Sequence, residues 1–353
     1  MSEFSLTGSG EWLRGEGRDA DVVMSSRVRL ARNFAGLPFV ARSNRDDRLR
    51  VLTVARRDIM EGGLAPKMMW VELNELPALE RSVLVERHLI SKQHSKGEEP
   101  RAAAISSPDE RLSIMVNEED HLRLQVIRSG LALGEAFEQI DHVDDLIESR
   151  SDYAFHERFG YLTACPTNVG TGIRVSVMVH LPGLKLTGEL EKVRRSAKAM
   201  NLAIRGFFGE GSEALGDLFQ LSNQTTLGKP EREILDEFEG VIVPKVIEYE
   251  RLARRSLIEK RRTVLEDRVH RSLGALRSAR LLKGEEALEL LSYVRLGAVM
   301  GVLGEVNLST VHGLILFTQS AHLQRVLGRE LDQAQRRVER ATFVRQQLGA
   351  SAA

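Results

Sequence analysis

The sequence has a single cysteine, Cys165, among 353 residues. An internal disulfide framework is thereby excluded, and so is a metal centre built on several cysteines. No run of about 18 apolar residues occurs, the length a membrane-spanning helix needs. The N-terminus, Met1-Ser2-Glu3-Phe4, lacks the basic and apolar regions of a secretory signal. The expectation is a soluble, cytoplasmic protein with no membrane partner. Neither sign of charge is in excess, with 50 Lys and Arg against 50 Asp and Glu. No global basic field favours direct nucleic-acid binding, so any anion site must be a local cluster. The G-x-x-x-x-G-K-[ST] loop and the protein-kinase motif set are also missing, so an ATP site would use another scaffold.

What is present is a 42% apolar chain, enough for one large or two ordinary domains. Val28 and Leu30 alternate with Arg27 and Arg29. Leu122, Leu124 and Val126 alternate with Arg123 and Gln125. Ile173, Val175, Val177 and Val179 alternate with Arg174, Ser176, Met178 and His180. Period two predicts strands with one face toward a core. Helices are expected around 49–60, 131–140 and 186–200. Strands and helices do not alternate regularly, so the expected class is α+β, an antiparallel sheet flanked by helices. After about residue 240 the spacing turns helical: Val246, Tyr249, Leu252 and Leu257; then Leu265, Val269, Leu273 and Leu276; then Leu331, Ala334, Val338, Ala341 and Leu348. Glycines 274, 284, 301 and 328 punctuate this region. The expected division is a flexible 1–20, a catalytic domain over 21–254 and an all-helical domain over 255–353. Residues 94–100 read as an exposed loop.

Three stretches carry chemistry. Asn117-Glu118-Glu119-Asp120-His121 puts three carboxylates on one turn between strand-like runs. It reads as a solvated hairpin turn, as a pocket for a guanidinium or ammonium group, or as a metal site. No second histidine stands at ligand spacing to support the last. Arg27, Arg29, Arg123, Arg174 and Arg205 lie in or beside strands. Several guanidinium groups on one sheet face repel each other unless a polyanion lies across them, and the planar arginine fork suits phosphate. Ser25 and Ser26 could add hydroxyl donors. Two glycine loops follow, Asn168-Val169-Gly170-Thr171-Gly172 and Gly209-Glu210-Gly211-Ser212-Glu213-Ala214. The second matches G-x-G-x-x-A, but its two acids and poor βαβ context argue against a dinucleotide fold. Cys165 reads as a small buried hydrophobe or as an activated thiolate beside arginines. His88 reads as a base-stacking group or a helix cap.

Together Ser25-Ser26-Arg27-Val28-Arg29, Asn117-Glu118-Glu119-Asp120-His121-Leu122-Arg123, and Cys165-Pro166-Thr167-Asn168-Val169-Gly170-Thr171-Gly172 resemble the phosphagen (guanidino) kinase family. Arg205-Gly206 and the loop after it form a looser fourth match. The resemblance to that catalytic domain covers roughly residues 20–250. The early start of the arginine motif and the helical C-terminal region resemble the bacterial branch that acts on arginine in proteins. An open site would admit a protein-borne arginine.

The resemblance implies ATP and Mg²⁺ as cofactors, with the metal held by phosphates and water rather than by protein groups. It implies nucleotide contacts at Ser25, Ser26, Arg27, Val28, Arg29, His88, Arg123, Arg174, Val175, Ser176, Val177, Met178, Arg205, Gly206, Phe207, Phe208, Gly209 and Glu210. Glu119 would bind the substrate guanidinium and act as base, supported by Glu118 and Asp120, with Cys165 flanking the pocket and Glu210 a second carboxylate near the guanidinium. An R-D-x-x-R-A motif that binds phosphoarginine in this branch is matched by Arg336-Arg337-Val338-Glu339-Arg340-Ala341, with Arg337 replacing the aspartate. Implied partners are protein substrates with exposed arginine, a stress-response repressor, a Clp chaperone–protease, a zinc-binding activator and a second copy in a homodimer. The competing readings are a kinase for free arginine or another guanidino metabolite, and a non-catalytic phosphoarginine-binding adaptor.

Overall fold

Strand pairing follows the alternation. A computed structural model describes residue 8 and residues 10–206 and 215–349. The strands are β1 (Val23–Arg32), β2 (Met68–Glu72), β3 (Ala102–Ser106), β4 (Leu112–Val116), β5 (Leu122–Ser129), β6 (Phe155–His156), β7 (Gly160–Tyr161), β8 (Ile173–His180), β9 (Leu202–Arg205) and β10 (Leu218–Asn223). Eight of them form one sheet in the order β2-β3-β4-β5-β1-β8-β10-β9, and β6 and β7 pair separately. Every pairing in the large sheet is antiparallel. The chain is thus α+β.

One sheet face is apolar. Val28, Leu30, Leu122, Leu124, Val126, Ile173, Val175, Val177 and Val179 are buried there in the main core. Helices Arg45–Glu61, Leu133–Glu148 and Glu231–Glu237 cover it with residues such as Ile59, Ile140 and Leu235. Each such side chain contributes about 1.5–3 kcal/mol on full burial. The opposite face is apolar only at its flanks. Helix Ala78–Glu86 covers one flank over Val71, Ile105 and Met115. The C-terminal helices cover the other over Ile127, Met178 and Leu218. Between the two flanks the face is polar and open, and the arginines stand there.

The C-terminal region is helical, in Val243–Ser278, Gly284–Val299, Leu308–Phe317, Ser320–Leu327 and Gln333–Gln347. Several details differ from the spacing. Tyr249 and Leu252 are exposed, while Glu250 and Arg254 are buried in their place. Glu250 accepts from the Gly183 and Leu184 backbone N–H groups and from Arg254 Nε, so a charged pair caps helix Pro182–Thr187. Val338 is exposed, and helix Gln333–Gln347 buries Arg340, Ala341 and Val344 instead. Gly274 lies within a helix; Gly301 and Gly328 end theirs at φ 72° and 67°. The expected helix over 186–200 is split at Gly188, left-handed at φ 77°. In the segment expected to be frayed, Trp12 and Leu13 are buried. In the 94–100 loop, His94 is buried, with its Nε2 3.0 Å from the Ala102 carbonyl.

Candidate active site

The acidic turn joins β4 to β5. Asn117 takes a left-handed φ of 61°, and its N–H donates to the His121 carbonyl at 3.0 Å. Its amide donates to the carbonyls of Arg48 and Pro100, both at 3.0 Å. The three carboxylates then diverge. Glu118 accepts from Arg123 Nη1 at 2.8 Å and from Ser91 Oγ at 2.6 Å. Burial opposes its charge, but Arg123 and Ser91 overcome it and hold the carboxyl down at about 2. Asp120 is buried and accepts from Asn33 Nδ2 at 2.7 Å and from the Ala164 N–H at 2.6 Å. Burial pushes its carboxyl up. Glu119, at the tip, is exposed to the cavity. His121 is fully buried; its Nδ1 accepts from the Phe34 N–H, so its Nε2–H donates to the Pro38 carbonyl. It is a structural strut rather than a ligand.

The register sets the arginine wall. Arg29 lies opposite Gln125 on β5 and Arg174 on β8, and Arg27 lies opposite Ser176. Arg123 sits opposite Ala31, and Arg205 on β9 opposite Gln220. All five arginines line one cavity of about 380 Å³, together with His88, Glu118, Glu119, Asp120 and Cys165. Burial and repulsion from Arg123, Arg174 and Arg205 push the Arg27 guanidinium down to about 9. Burial and the same kind of repulsion push Arg29 well down too. Among the described residues, Arg29 Nε and Nη2 are buried without a hydrogen-bond acceptor. Buried donors left so are costly, about 1–3 kcal/mol each. A polyphosphate laid across the wall would supply both acceptors and countercharge.

The cysteine loop closes one side. Cys165 is half-buried, with its Sγ 3.0 Å from Thr167 Oγ1. Pro166–Asn168 forms a tight turn. Gly170 has φ 113°, and a Cβ there would lie 2.3 Å from the Thr226 carbonyl. At Gly172 a Cβ would meet the Ala31 carbonyl at 2.7 Å. Only glycine lets this loop thread so close to β1.

Other expected nucleotide contacts fall differently. Val28, Val175 and Val177 turn into the apolar core on the opposite face; they orient the wall but cannot touch a ligand through their side chains. Ser26 is fully buried, donating to the Gly130 carbonyl and accepting from the Ala132 N–H. Ser25, Ser176 and Met178 line a narrow recess with Arg27, His88 and Trp12. The Trp12 and His88 rings meet edge to face at 4.6 Å. Burial and nearby Arg27 push His88 down to about 3, so its imidazole is neutral. Gly206 directly follows β9. Phe207, Phe208, Gly209 and Glu210 lie outside the described residues. The Arg336–Ala341 stretch does not line the cavity. Arg340 is buried and donates to the Thr318 and Leu282 carbonyls, and Arg336 donates to the Leu331 carbonyl. Those donors are therefore already engaged. Arg337 is half-buried, and Ala341 packs in the helical core.

Two family models match the chain. The ATP:guanido phosphotransferase C-terminal catalytic domain matches residues 56–253. The protein-arginine kinase McsB C-terminal domain matches residues 262–353. A protein-arginine kinase of Symbiobacterium thermophilum is 47% identical over 352 residues, 99% of each chain. One of Halothermothrix orenii is 43% identical over 337 residues, 96% of each. The chain belongs to the protein-arginine kinase family. Among solved structures, lombricine kinase has a TM-score of 0.58 at 26% identity, covering 67% of this chain and 68% of that one. The duplicated taurocyamine kinase of Schistosoma mansoni, with bound transition-state analogue components, has a TM-score of 0.59 at 25% identity. That match covers 65% of this chain and 33% of the duplicated one. The stretch between the two matched regions lies inside helix Val243–Ser278 and ends at Arg261, whose φ of −141° and ψ of 35° are not helical.

For this kinase the sequence reasoning missed several site residues. Gln125 and Gln220 line the cavity between the arginines. Gln125 stands two residues after Arg123, so period two alone points to it. Ser91 and Asn33, which hold Glu118 and Asp120, are distant in sequence and carry no such signal.

Proposed function

We propose that this kinase transfers the γ-phosphoryl group of ATP to arginine side chains of proteins. One observation carries the reading: Glu119 and the five-arginine wall share one cavity. The wall suits triphosphate, and the exposed carboxylate suits a guanidinium. Among the described residues, no cluster of three His, Cys, Asp or Glu could hold a metal ion. Mg²⁺ would enter on the nucleotide phosphates and water and neutralise charge there.

A guanidinium has a pKa of about 12.5 or above and a glutamate about 4.3, so proton transfer before attack would cost about 11 kcal/mol. Attack and deprotonation are therefore concerted. The guanidino nitrogen bonds to the γ-phosphorus while the bond from phosphorus to the ADP oxygen breaks. The nitrogen's proton passes to Glu119. Glu118 cannot serve as base, because Arg123 and Ser91 occupy its oxygens. It anchors Arg123 instead. Arg27, Arg29, Arg123, Arg174 and Arg205 stabilise charge on the phosphoryl oxygens. The product holds an acid-labile N–P bond.

The names of the full-length relatives favour protein arginine over a free metabolite. Within the same proposal the modification acts in the cytoplasm, in stress response, marking proteins for a Clp chaperone–protease. Radiolabel from γ-labelled ATP should appear on a basic protein and leave it in mild acid. Acid-stable label, or label on free arginine alone, would overturn the reading.

A further inference from the structure

A second cavity, of about 480 Å³, also adjoins the acidic turn. Glu118 and Glu119 line both cavities. The first cavity is walled by the arginines and suits the nucleotide. A protein-borne guanidinium would then have the second cavity as its route to Glu119. Its remaining walls come from Val40, Ala41 and Arg48, from 93–101, and from Ala164. Asn117 ties these walls to the turn through the Arg48 and Pro100 carbonyls. The cleft and the carboxylate therefore keep a fixed spacing.

The chemistry of this cleft is basic. Arg48, Lys96 and Arg101 line it, and Lys96 is exposed. Arg48 Nη2 donates to the Val40 carbonyl, but Arg48 Nη1 is buried without an acceptor among the described residues. Burial and repulsion from Arg48 push Arg101 down, and Glu118 and Glu99 offset part of this. Arg101 Nε and Nη1 donate to the Glu99, Gln93 and His94 carbonyls, which leaves Nη2 as the group it presents to a ligand. Glu118 is already neutralised by Arg123. Among the described residues the cleft thus sets Arg48, Lys96 and Arg101 around the Glu119 carboxylate.

We propose, resting on the kinase reading above, that this cleft seats the polypeptide flanking the target arginine and that Arg48 and Arg101 receive an acidic side chain near it in sequence. An extended chain advances about 3.3 Å per residue, so a carboxylate one or two positions away falls within a cleft of this size. Arginine forks favour carboxylates over neutral groups, and a flanking lysine meets repulsion.

The test uses the full chain, MgATP and peptides with one arginine, identical except for Glu, Gln or Lys at the two neighbouring positions. Two part-exposed ion pairs worth about 1.4 kcal/mol together predict a peptide KM about tenfold lower for Glu than for Lys. Arg48→Gln with Arg101→Gln should erase that preference, and Arg101→Glu should shift it toward the Lys peptide. The KM for ATP should stay constant in both. If Arg48→Gln proves misfolded by circular dichroism, the Arg101→Glu arm decides alone. A wild-type KM indifferent to flanking charge, or a preference that survives the variants, overturns the inference and leaves the kinase reading standing. Failure to phosphorylate any arginine, in peptide or protein, sinks both.

Discussion

Three adjacent carboxylates show how environment assigns roles. Glu118, Glu119 and Asp120 have similar side chains, yet one is ion-paired, one exposed in the cavity and one buried between neutral donors. Glu118→Gln should release Arg123 and lower kcat/KM by about 10²-fold, as loss of a fixed electrostatic group does. Steady-state kinetics check this, and an unchanged rate would remove Glu118 from the wall. Glu118 also carries a pH signature. Its folded pKa lies below that of an unfolded glutamate, so its stabilisation is complete above about pH 4.5 and is lost toward about 2. Urea midpoints should fall across that window, and less steeply in Glu118→Gln. Residue identity was legible in the sequence here, but the division of labour was not. It depends on Ser91, Asn33 and Ala164, which only folding brings near.

At the scale of elements, the strands were legible because period two records which face is buried. Arg27, Arg29, Arg123 and Arg174 were placed on one face by that pattern alone. Helix faces were less legible. The spacing of Tyr249 and Leu252 suits a core, yet Glu250 and Arg254 take the buried side because they satisfy the end of a neighbouring helix. Apolar periodicity cannot anticipate a buried ion pair. The cysteine loop makes a further test. Gly170→Ala forces a Cβ against the Thr226 carbonyl in a backbone region that favours glycine. It should cost about 1–3 kcal/mol and lower kcat by displacing Cys165 and Asn168. Thermal melting with kinetics checks both, and a variant with wild-type stability would show that the loop is not pinned there.

At the scale of the molecule, one buried polar chain joins the sheet to the C-terminal helices. Arg295 donates to His180 Nδ1 at 2.8 Å and to His312 Nε2 at 3.1 Å. His180 Nε2 donates to Ser292 Oγ, which donates to Asp217 at 2.8 Å. Lys185 holds the other Asp217 oxygen at 2.6 Å. Arg295→Ala would strand these groups and the Ala20 and Asp21 carbonyls, at about 3–5 kcal/mol. Chemical denaturation reads that loss. Burial and Arg295 push His312 down to about 3 and His180 well down. Both stay neutral in the fold while unfolded histidines protonate near pH 6.5, so stability holds above that pH and falls below it. His312→Gln should flatten the decline between pH 7.5 and 5.5. The central claim, however, concerns the cavity shared by Glu119 and the arginine wall. Its most direct test is single-turnover transfer from ATP to a protein arginine by Glu119→Gln, with nucleotide affinity measured on the same sample. Lost transfer with ATP affinity intact is the predicted result; near-normal transfer would contradict it.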